Sequence, residues 1–276
     1  MLRYDLHCHS TCSDGLLSPA DVVSRAASRG VDVLALTDHD QLAGLAEAAE
    51  AARSCGIELV PGCELSVSWE DQTLHVIALR IDPDAAALSQ GLQRIRHGRT
   101  TRARRMADAL AESGIAGAYA GALRYVTHGD LISRTHFARF LVDAGYVPDV
   151  KEVFNRFLTP GKPGYVAHEW ATLPDAIDWI HAAGGQAVLA HPGRYRVAGT
   201  GLRRLLATFR DLGGDGLEVL SSSHSAAQAG EFATLARVHG LLASVGSDYH
   251  GTNESTLDLG ELPPLPAGAT PVWQAW

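Results

Sequence analysis

Short apolar runs alternate, along the first third of the chain, with longer segments in which apolar residues recur at helical spacing. The pattern predicts strands at residues 2–7, 31–36, 57–60 and 74–79. A helix is predicted to begin at Ser18-Pro19, with Ser as N-cap, and to end near Gly30, and a second at residues 41–55 is followed by Gly56. Repeated strand–helix units predict parallel strands joined by helical crossovers.

This alternation breaks between about residues 90 and 165 and then resumes. The interrupting segment has helical patterns at residues 102–112, 136–144 and 150–157 and no convincing buried strand. Beyond it we predict helices at 173–183, 202–212 and 226–239 and strands at 187–190, 217–220 and 241–245. The last fifteen residues, with four prolines, predict an irregular tail. We therefore predict a strand–helix domain at residues 1–97 and 166–276 and a helical insertion at residues 98–165.

The predicted strands run into histidines and carboxylates. His7 and His9 end the first strand two residues apart, so both rings can project from one face and reach one ion. Later strands run into His39, Glu64, His191 and the Asp248–His250 segment. The carboxyl ends of strands carry the chemistry in parallel α/β folds, and a barrel brings distant strands together better than an open sheet. The sequence predicts one multinuclear metal site at the mouth of a barrel, covered by the insertion.

Composition narrows the class of protein. The 276 residues suit one large α/β domain, and 46% apolar residues is ordinary for a globular protein. No stretch approaches the roughly 20 apolar residues of a membrane span, and the early first strand leaves no room for a signal peptide, so we expect a cytoplasmic protein without a membrane partner. The four cysteines (Cys8, Cys12, Cys55 and Cys63) form no CxxC pair, and we expect buried small hydrophobic residues rather than ligands.

The distribution of charge adds a second constraint. A net charge of −8 argues against a general nucleic-acid coat protein. Six arginines nevertheless crowd residues 94–105, and arginine suits bidentate recognition of phosphate. The alternative is a solvated helix face, which we favour for most of them. Arg99 and Arg102 are kept as candidate nucleotide contacts.

Taken together, these motifs resemble those of the PHP (polymerase and histidinol phosphatase) family over nearly the whole chain. The segments at residues 133–137 and 158–165 resemble a subgroup of nucleoside 3′,5′-bisphosphate phosphatases and 5′→3′ exoribonucleases. The resemblance implies a distorted (β/α)₇ barrel with three divalent ions. The ligands carried over are His7, His9, Glu64 and Asp248 for one ion, Glu64 (bridging), His75 and His191 for the second, and Asp14, His39 and His250 for the third.

The residue types support this assignment independently. Imidazole with carboxylate suits Mn²⁺, Fe²⁺ or Zn²⁺ better than Ca²⁺, and we expect Mn²⁺. Taken alone, His75 is explained as a strand histidine and Asp14 as a turn residue. Asp38 and Asp40 are expected to cap a helix or orient imidazoles, and Asp5 is another candidate for orienting them.

A second phosphate on the substrate would need cations beyond the metal ions. The candidate substrate contacts are Arg134, His136, Arg194, His224, Arg99, Arg102 and His39. Lys162 lies in a Pro/Gly loop that could close as a lid. Base stacking could use Trp69, Trp170, Tyr195 or Tyr249, with ordinary packing as the alternative for each.

The expected reaction is metal-assisted hydrolysis of a phosphomonoester, the 3′-phosphate of nucleoside 3′,5′-bisphosphates. His191, Arg194 and His224 are the candidate catalytic residues, and either His224 or a water would protonate the leaving oxygen. The alternatives are a 5′→3′ exoribonuclease acting on short RNA, a histidinol phosphatase, and a noncatalytic metal-binding accessory module. We expect a monomer whose partner is a small nucleotide.

Overall fold

The computed structural model describes residues 2–70, 72–127, 131–197 and 199–276. The strands in these residues are β1 (Tyr4–Asp5), β2 (Val33–Leu36), β3 (Glu58–Trp69), β4 (Gln72–Leu79), β5 (Ala171–Thr172), β6 (Gln186–Leu189), β7 (Gly216–Ser221) and β8 (Leu242–Gly246). The α-helices are α1 (Pro19–Ser28), α2 (Leu45–Cys55), α3 (Ala86–Glu112), α4 (Ala118–Leu123), α5 (Arg134–Asp143), α6 (Val150–Val153), α7 (Leu173–Ala182), α8 (Thr200–Asp211) and α9 (Ala226–Val238).

The strands form a nearly closed barrel in the order β1-β2-β3-β4-β6-β7-β8, with β5 paired to β3. The two end strands meet through backbone hydrogen bonds, from Leu6 N to Val245 O (2.9 Å) and from Asp248 N to His7 O (2.8 Å). This confirms the distorted barrel. The strands joined by helices pair in parallel, as predicted, but β4 runs antiparallel to both β3 and β6.

The β3–β4 hairpin is where prediction and structure differ most. The strand predicted at residues 57–60 continues to Trp69, and Ser66 lies opposite His75 in the hairpin. Pro61-Gly62 is typical of a strand end, but here Gly62 lets the strand pass close to its neighbour: a Cβ would lie 2.8 Å from Ala78 O. The expectation that Glu64 follows the end of a strand is therefore wrong, whereas His75 lies inside a strand, as predicted.

Alternate side chains of the strands face the barrel interior and the surrounding helices. In β2, Val33 and Ala35 join the interior core, whereas Leu34 and Leu36 pack in the core beneath the helices. At the C-terminus, Val272 enters the interior core and Trp273 stacks on Tyr4 with ring centroids 3.9 Å apart. The expected irregular tail thus contains a short 3₁₀ turn, Val272–Ala275, that packs against the barrel.

Local chemistry explains where the barrel helices begin and end. The Ser18 side chain accepts a hydrogen bond from Asp21 N at the start of α1, and Pro19 occupies the first turn. Gly56 ends α2 in the left-handed conformation with φ 71°, which glycine adopts without strain. Among the described residues, no helix is both long and apolar enough to cross a membrane.

The region predicted as a helical insertion is helical, with different boundaries. Helix α3 has 27 residues and runs through the predicted boundary at residue 98. Helix α6 is shorter than predicted because the chain continues as a π-helical turn at Phe154–Leu158, and α4 was not predicted. Apolar residues between Ala103 and Leu158 form a core of their own. The division into barrel and insertion stays a prediction.

Candidate metal centre

Glu64 lies at the centre of a group of histidines. Five imidazole nitrogens lie 2.8–3.3 Å from its two carboxylate oxygens, those of His75, His39, His191, His7 and His9. Its Oε1 faces His75 and His191, whereas Oε2 faces the other three rings. One buried carboxylate that faces imidazoles from both oxygens has the arrangement of a ligand bridging two ions.

Two aspartates extend this cluster on either side. Asp248 Oδ1 lies 3.1 Å from His9 Nε2 and 3.4 Å from His7 Nε2. Asp14 Oδ1 lies 3.4 Å from His250 Nε2 and 3.9 Å from the ring of His39. All nine predicted ligands therefore meet in one place.

The candidate ligand atoms fall into overlapping groups whose members lie within 4.8 Å of one another. These groups are His9, Asp14, His39 and His250; His7, His9 and Asp248; and His39, Glu64 and His75. Their membership differs from the assignment implied by resemblance. His9 also groups with Asp14, and His39 with Glu64 and His75, because the rings of His9 and His39 lie between the aspartates and the hairpin.

The residues fit divalent metal ions. Among the described residues, Asp14 Oδ1 and Glu64 Oε2 are buried and have no hydrogen-bond partner, although each faces imidazole nitrogens. A buried carboxylate oxygen without a partner is costly, and a coordinated cation removes that cost. The mixed imidazole and carboxylate donors are those that Mn²⁺, Fe²⁺ and Zn²⁺ accept.

Burial and mutual electrostatics place several of these groups in the protonation state that binds metal. Burial lowers the pKa of His9 to about 3 and the pKa of His75 to about 4. Burial alone would raise the pKa of Glu64 and Asp14, but neighbouring imidazoles hold both well below the usual range. The neighbouring carboxylates outweigh burial at three other rings: they raise the pKa of His7 and His39, and they raise the pKa of His250 to about 9. Neutral imidazoles and ionised carboxylates are the ligand forms, so these three rings must lose a proton to bind an ion.

Asp38 and Asp40 support the backbone around the ligands. Asp38 Oδ1 accepts from Ser10 N (2.8 Å) and Ser13 Oγ (2.5 Å), and so fixes the loop between His9 and Asp14. Asp40 Oδ1 accepts from Ser66 N at 2.7 Å. Helix α2 begins later, after Gly44, so the expected helix-cap role is wrong for both.

Other carboxylates hold the ligand segments, and sequence reasoning missed one of them. Asp5, a predicted orienting group, accepts from Ser247 N at 2.8 Å, beside Asp248. Glu218 was not predicted. It is fully buried and accepts from His7 Nδ1 at 2.9 Å and from His191 N at 2.6 Å. The available signal was a charged residue between Leu217 and Val219 in an otherwise apolar strand.

A cavity opens over the cluster, and α3 supplies cations to its wall. Arg99, Arg102 and Arg134 line it together with Phe154 and Trp170. Arg99 and Arg102 are only 6% and 8% exposed, so the solvated-face interpretation is wrong for these two. Their guanidinium carbons lie 5.0 and 5.3 Å from the Trp170 ring centroid.

The exposed arginines of α3 are solvated, as expected; they are Arg94, Arg104 and Arg105. Arg99 forms a buried ion pair with Asp40 and donates to Ser66 Oγ at 2.8 Å. Arg102 Nε donates to Val166 O at 3.0 Å. Among the described residues, neither Arg102 nor Arg134 has a carboxylate partner. Of the residues that the structure describes, no carboxylate therefore pairs with these two cations of the cavity.

The histidines and Arg194 proposed as substrate or catalytic groups occupy different environments. His136 is fully buried and its Nδ1 accepts from Ser133 N at 3.1 Å in the capping box of α5. His224 Nδ1 donates to Val219 O at 3.0 Å, and its Nε2 accepts from Gly193 N at 3.3 Å. With both nitrogens bound to backbone, His224 has no free N–H for a leaving group. Arg194 lies 2.5 Å from Asp248 Oδ2, at the edge of the metal cluster.

The aromatic residues, Lys162 and the cysteines singled out in the sequence lie in different surroundings. Tyr249 is 1% exposed, so base stacking by this residue is wrong. The half-buried Tyr195 donates from its hydroxyl to Ala190 O at 2.7 Å, and its role in stacking stays a prediction. Trp69 packs under Arg204, and Trp170 lines the cavity. Lys162 is exposed in its loop, and its role as a lid stays a prediction. Among the cysteines, Cys8, Cys12 and Cys63 are buried as expected, but Cys55 is exposed.

Comparison with known proteins places the chain among relatives. It is 52% identical to the 3′,5′-nucleoside bisphosphate phosphatase of Chromobacterium violaceum, over 99% of this chain and 96% of that protein. It is 44% identical to the 5′-3′ exoribonuclease Rnm of Salmonella typhimurium, over 99% and 93%. A Bifidobacterium adolescentis crystal structure, assigned as a metal-dependent phosphoesterase, superposes with a TM-score of 0.84 at 30% identity, over 99% and 94% of the chains. The PHP domain model matches residues 5–156, and the chain belongs to the PHP domain family.

Proposed function

We propose that this chain removes the 3′-phosphate from nucleoside 3′,5′-bisphosphates in a reaction that depends on divalent metal ions. The chain is a hydrolase of phosphate esters, as its family and its named relatives are. The finer assignment is supported by 52% identity over 99% of the chain to a 3′,5′-nucleoside bisphosphate phosphatase.

One observation of this chain carries the choice of a doubly phosphorylated substrate. The cavity wall holds Arg102 and Arg134, which have no carboxylate partner among the described residues, beside the Glu64 cluster. Burial, followed by the nearby cations of Arg134 and Arg99, lowers the pKa of Arg102 to about 9. An anion bound there would relieve this repulsion, so a second phosphate would bind in the cavity while the first lies at the metal centre.

Glu64, the two aspartates and the six histidines would hold the ions, with Mn²⁺ as the proposed metal and three as the proposed number. Such ions neutralise phosphate oxygens and make a bound water nucleophilic near neutral pH. The protein itself supplies orientation and charge. Arg194, whose Nη2 lies 2.5 Å from Asp248 Oδ2 and whose side chain is partly exposed, would bind an oxygen of the reacting phosphate.

The test is a phosphate-release assay on the Mn²⁺-loaded protein with four substrates: adenosine 3′,5′-bisphosphate, 5′-AMP, histidinol phosphate and a short 5′-phosphorylated RNA. We expect the bisphosphate to be hydrolysed with the highest kcat/KM and to yield 5′-AMP, identified by chromatography. Preferred release from histidinol phosphate would contradict the assignment. Release from none of them, with metal bound, would favour a noncatalytic accessory module.

Activity as a 5′→3′ exoribonuclease is the second candidate function, and it is supported by positive charge outside the cavity. Burial and the cations of Arg102, Arg99 and Arg105 lower the pKa of His168, so positive charge extends from the cavity to the exposed Arg105. A short RNA chain could follow such a path. Mononucleotide release from the 5′-phosphorylated RNA would support this candidate, and an inert RNA would exclude it. We further propose that the protein is a cytoplasmic monomer whose substrates are nucleotides.

A further inference from the structure

Glu218 lies outside the nine candidate ligands, yet its buried carboxylate contacts two of them, His7 and His191, which follow different strands. Its Oε1 accepts a hydrogen bond from the His7 ring nitrogen Nδ1 at 2.9 Å, and its Oε2 accepts from the backbone N–H of His191 at 2.6 Å. The residue is fully buried in β7, which pairs with β6, the strand that leads to His191, and is separated by β8 from β1, the strand that leads to His7. Both carboxylate oxygens of Glu218 therefore accept a hydrogen bond from a candidate metal ligand.

The hydrogen bond to His7 determines which ring nitrogen faces the centre. With Nδ1–H directed at Glu218, the other nitrogen, Nε2, faces Glu64 Oε2 at 3.3 Å and Asp248 Oδ1 at 3.4 Å. Because a neutral imidazole carries one proton, holding that proton on Nδ1 leaves the Nε2 lone pair free for an ion.

The hydrogen bond to His191 acts on backbone rather than on a ring. His191 has φ 25° and ψ 62°, a conformation in which an L-residue is strained. The Glu218 carboxylate holds the N–H of this residue, while His191 Nε2 lies 3.0 Å from Glu64 Oε1. Glu218 thus stabilises the bend that turns the His191 ring towards the bridging carboxylate.

The adjacent strand β8 is shaped to admit this contact. A Cβ on Gly246 would overlap the Cβ of His7 and would lie 2.7 Å from Glu218 Oε1. Only glycine at this position leaves room for the His7 side chain and the Glu218 carboxylate to meet. The contact between His7 and Glu218 therefore depends on residues of two strands, Glu218 in β7 and Gly246 in β8.

We infer that Glu218 is a positioning residue for two metal ligands. It fixes the tautomer of His7 and the backbone bend of His191. This rests on the metal centre of the proposed function. Glu218 contacts His7 Nδ1 and the backbone N–H of His191, which are not the candidate ligand atoms. It would therefore change the affinity for metal ions only through the geometry of these two residues.

The decisive variant is Glu218→Gln, which keeps the shape but has one acceptor oxygen where two donors need one each. We expect Mn²⁺ and Zn²⁺ affinity, measured by competition with a chelator, to fall about 10- to 100-fold. In Zn²⁺-loaded protein with ¹⁵N-labelled histidine, the proton on His7 Nδ1 should exchange faster with solvent. Asp215→Asn is the matched control, because Asp215 also accepts from a histidine ring (His181 Nε2, 3.0 Å) and a backbone N–H (Ala187, 2.8 Å) outside the centre.

Should Glu218→Gln fail to fold, Glu218→Asp keeps both acceptors but is too short to reach both donors, and the same loss of affinity is expected. Wild-type affinity and an unchanged His7 signal in a folded variant would overturn the inference alone. An equal loss of affinity in Asp215→Asn would also overturn it. Failure of the wild-type protein to bind any divalent ion would overturn the proposed function as well.

Discussion

Ser133 Oγ donates a hydrogen bond to Asp14 Oδ2 across 2.9 Å, so the residue that caps α5 also holds a candidate metal ligand. Arg139, nearly two turns along the same helix, donates to Asp14 O at 2.6 Å and forms a bidentate pair with Glu254. The helical region is therefore bonded directly to the ligand loop. A change in the position of α5 is therefore expected to change the geometry of Asp14 as well.

Replacing Ser133 with alanine tests this coupling. Ser133→Ala should lower the free energy of unfolding by about 1 kcal/mol, the usual cost of losing an N-cap, and should also lower kcat/KM by about tenfold because Asp14 loses its donor. Urea unfolding and phosphate release measure the two effects. Ser225→Ala is the control, since Ser225 forms the same capping box at α9. It should lose similar stability and keep its activity; equal loss of activity in both variants would argue against the coupling.

Removing a ligand tests the centre itself. His191→Ala should reduce phosphate release at least about 100-fold with little loss of stability, because the ring serves the cluster and not the apolar core. Metal content and thermal unfolding should be measured on the same preparation. His181→Ala, which removes a half-exposed histidine paired with Asp215, should behave like the wild-type protein. Near-wild-type turnover of His191→Ala in a metal-replete assay would exclude this ligand.

The cations of the cavity are tested by comparing two substrates. Arg102→Met should raise KM for adenosine 3′,5′-bisphosphate about 10- to 100-fold, the effect of losing a hydrogen bond to a charged group, and should change KM for 3′-AMP little. Arg104→Met, an exposed position on the same helix, is the control and should change neither. An equal rise for both substrates would show that Arg102 does not recognise the second phosphate.

Arg99 should behave differently from Arg102, because it is already paired. Arg99→Met leaves the Asp40 carboxylate buried without its cation and should lower the free energy of unfolding by about 3–5 kcal/mol. The double variant Arg99→Met/Asp40→Asn should recover part of this loss, since no buried charge is left unpaired. Urea denaturation of the wild type, of the single variants Arg99→Met and Asp40→Asn, and of the double variant gives the coupling energy. Additive losses would show that the two residues do not stabilise one another.

The ligand residues could be predicted because their signal is local. His7 and His9 share one face of an extended segment through their spacing alone, and the sequence pattern places His39, His191 and Asp248 after apolar runs. Imidazole and carboxylate are uncommon at the ends of buried strands unless they bind something. Residue type and strand position together therefore predicted a multinuclear centre in a barrel, which the structure and the family comparison bear out at the level of fold and ligand clustering.

What sequence alone determined about this protein was thus the set of candidate ligand residues and their approximate order around a barrel. The tertiary structure decided the rest, because it depends on partners distant in the chain. Arg99 and Arg102 occupy one helix three residues apart, yet within the part of the chain that the structure describes only Arg99 meets a carboxylate, that of Asp40 in another segment. Glu218 likewise gained its role only when β7 placed it between His7 and His191. Spacing along a chain fixes which residues share a face, but only folding determines which charges meet.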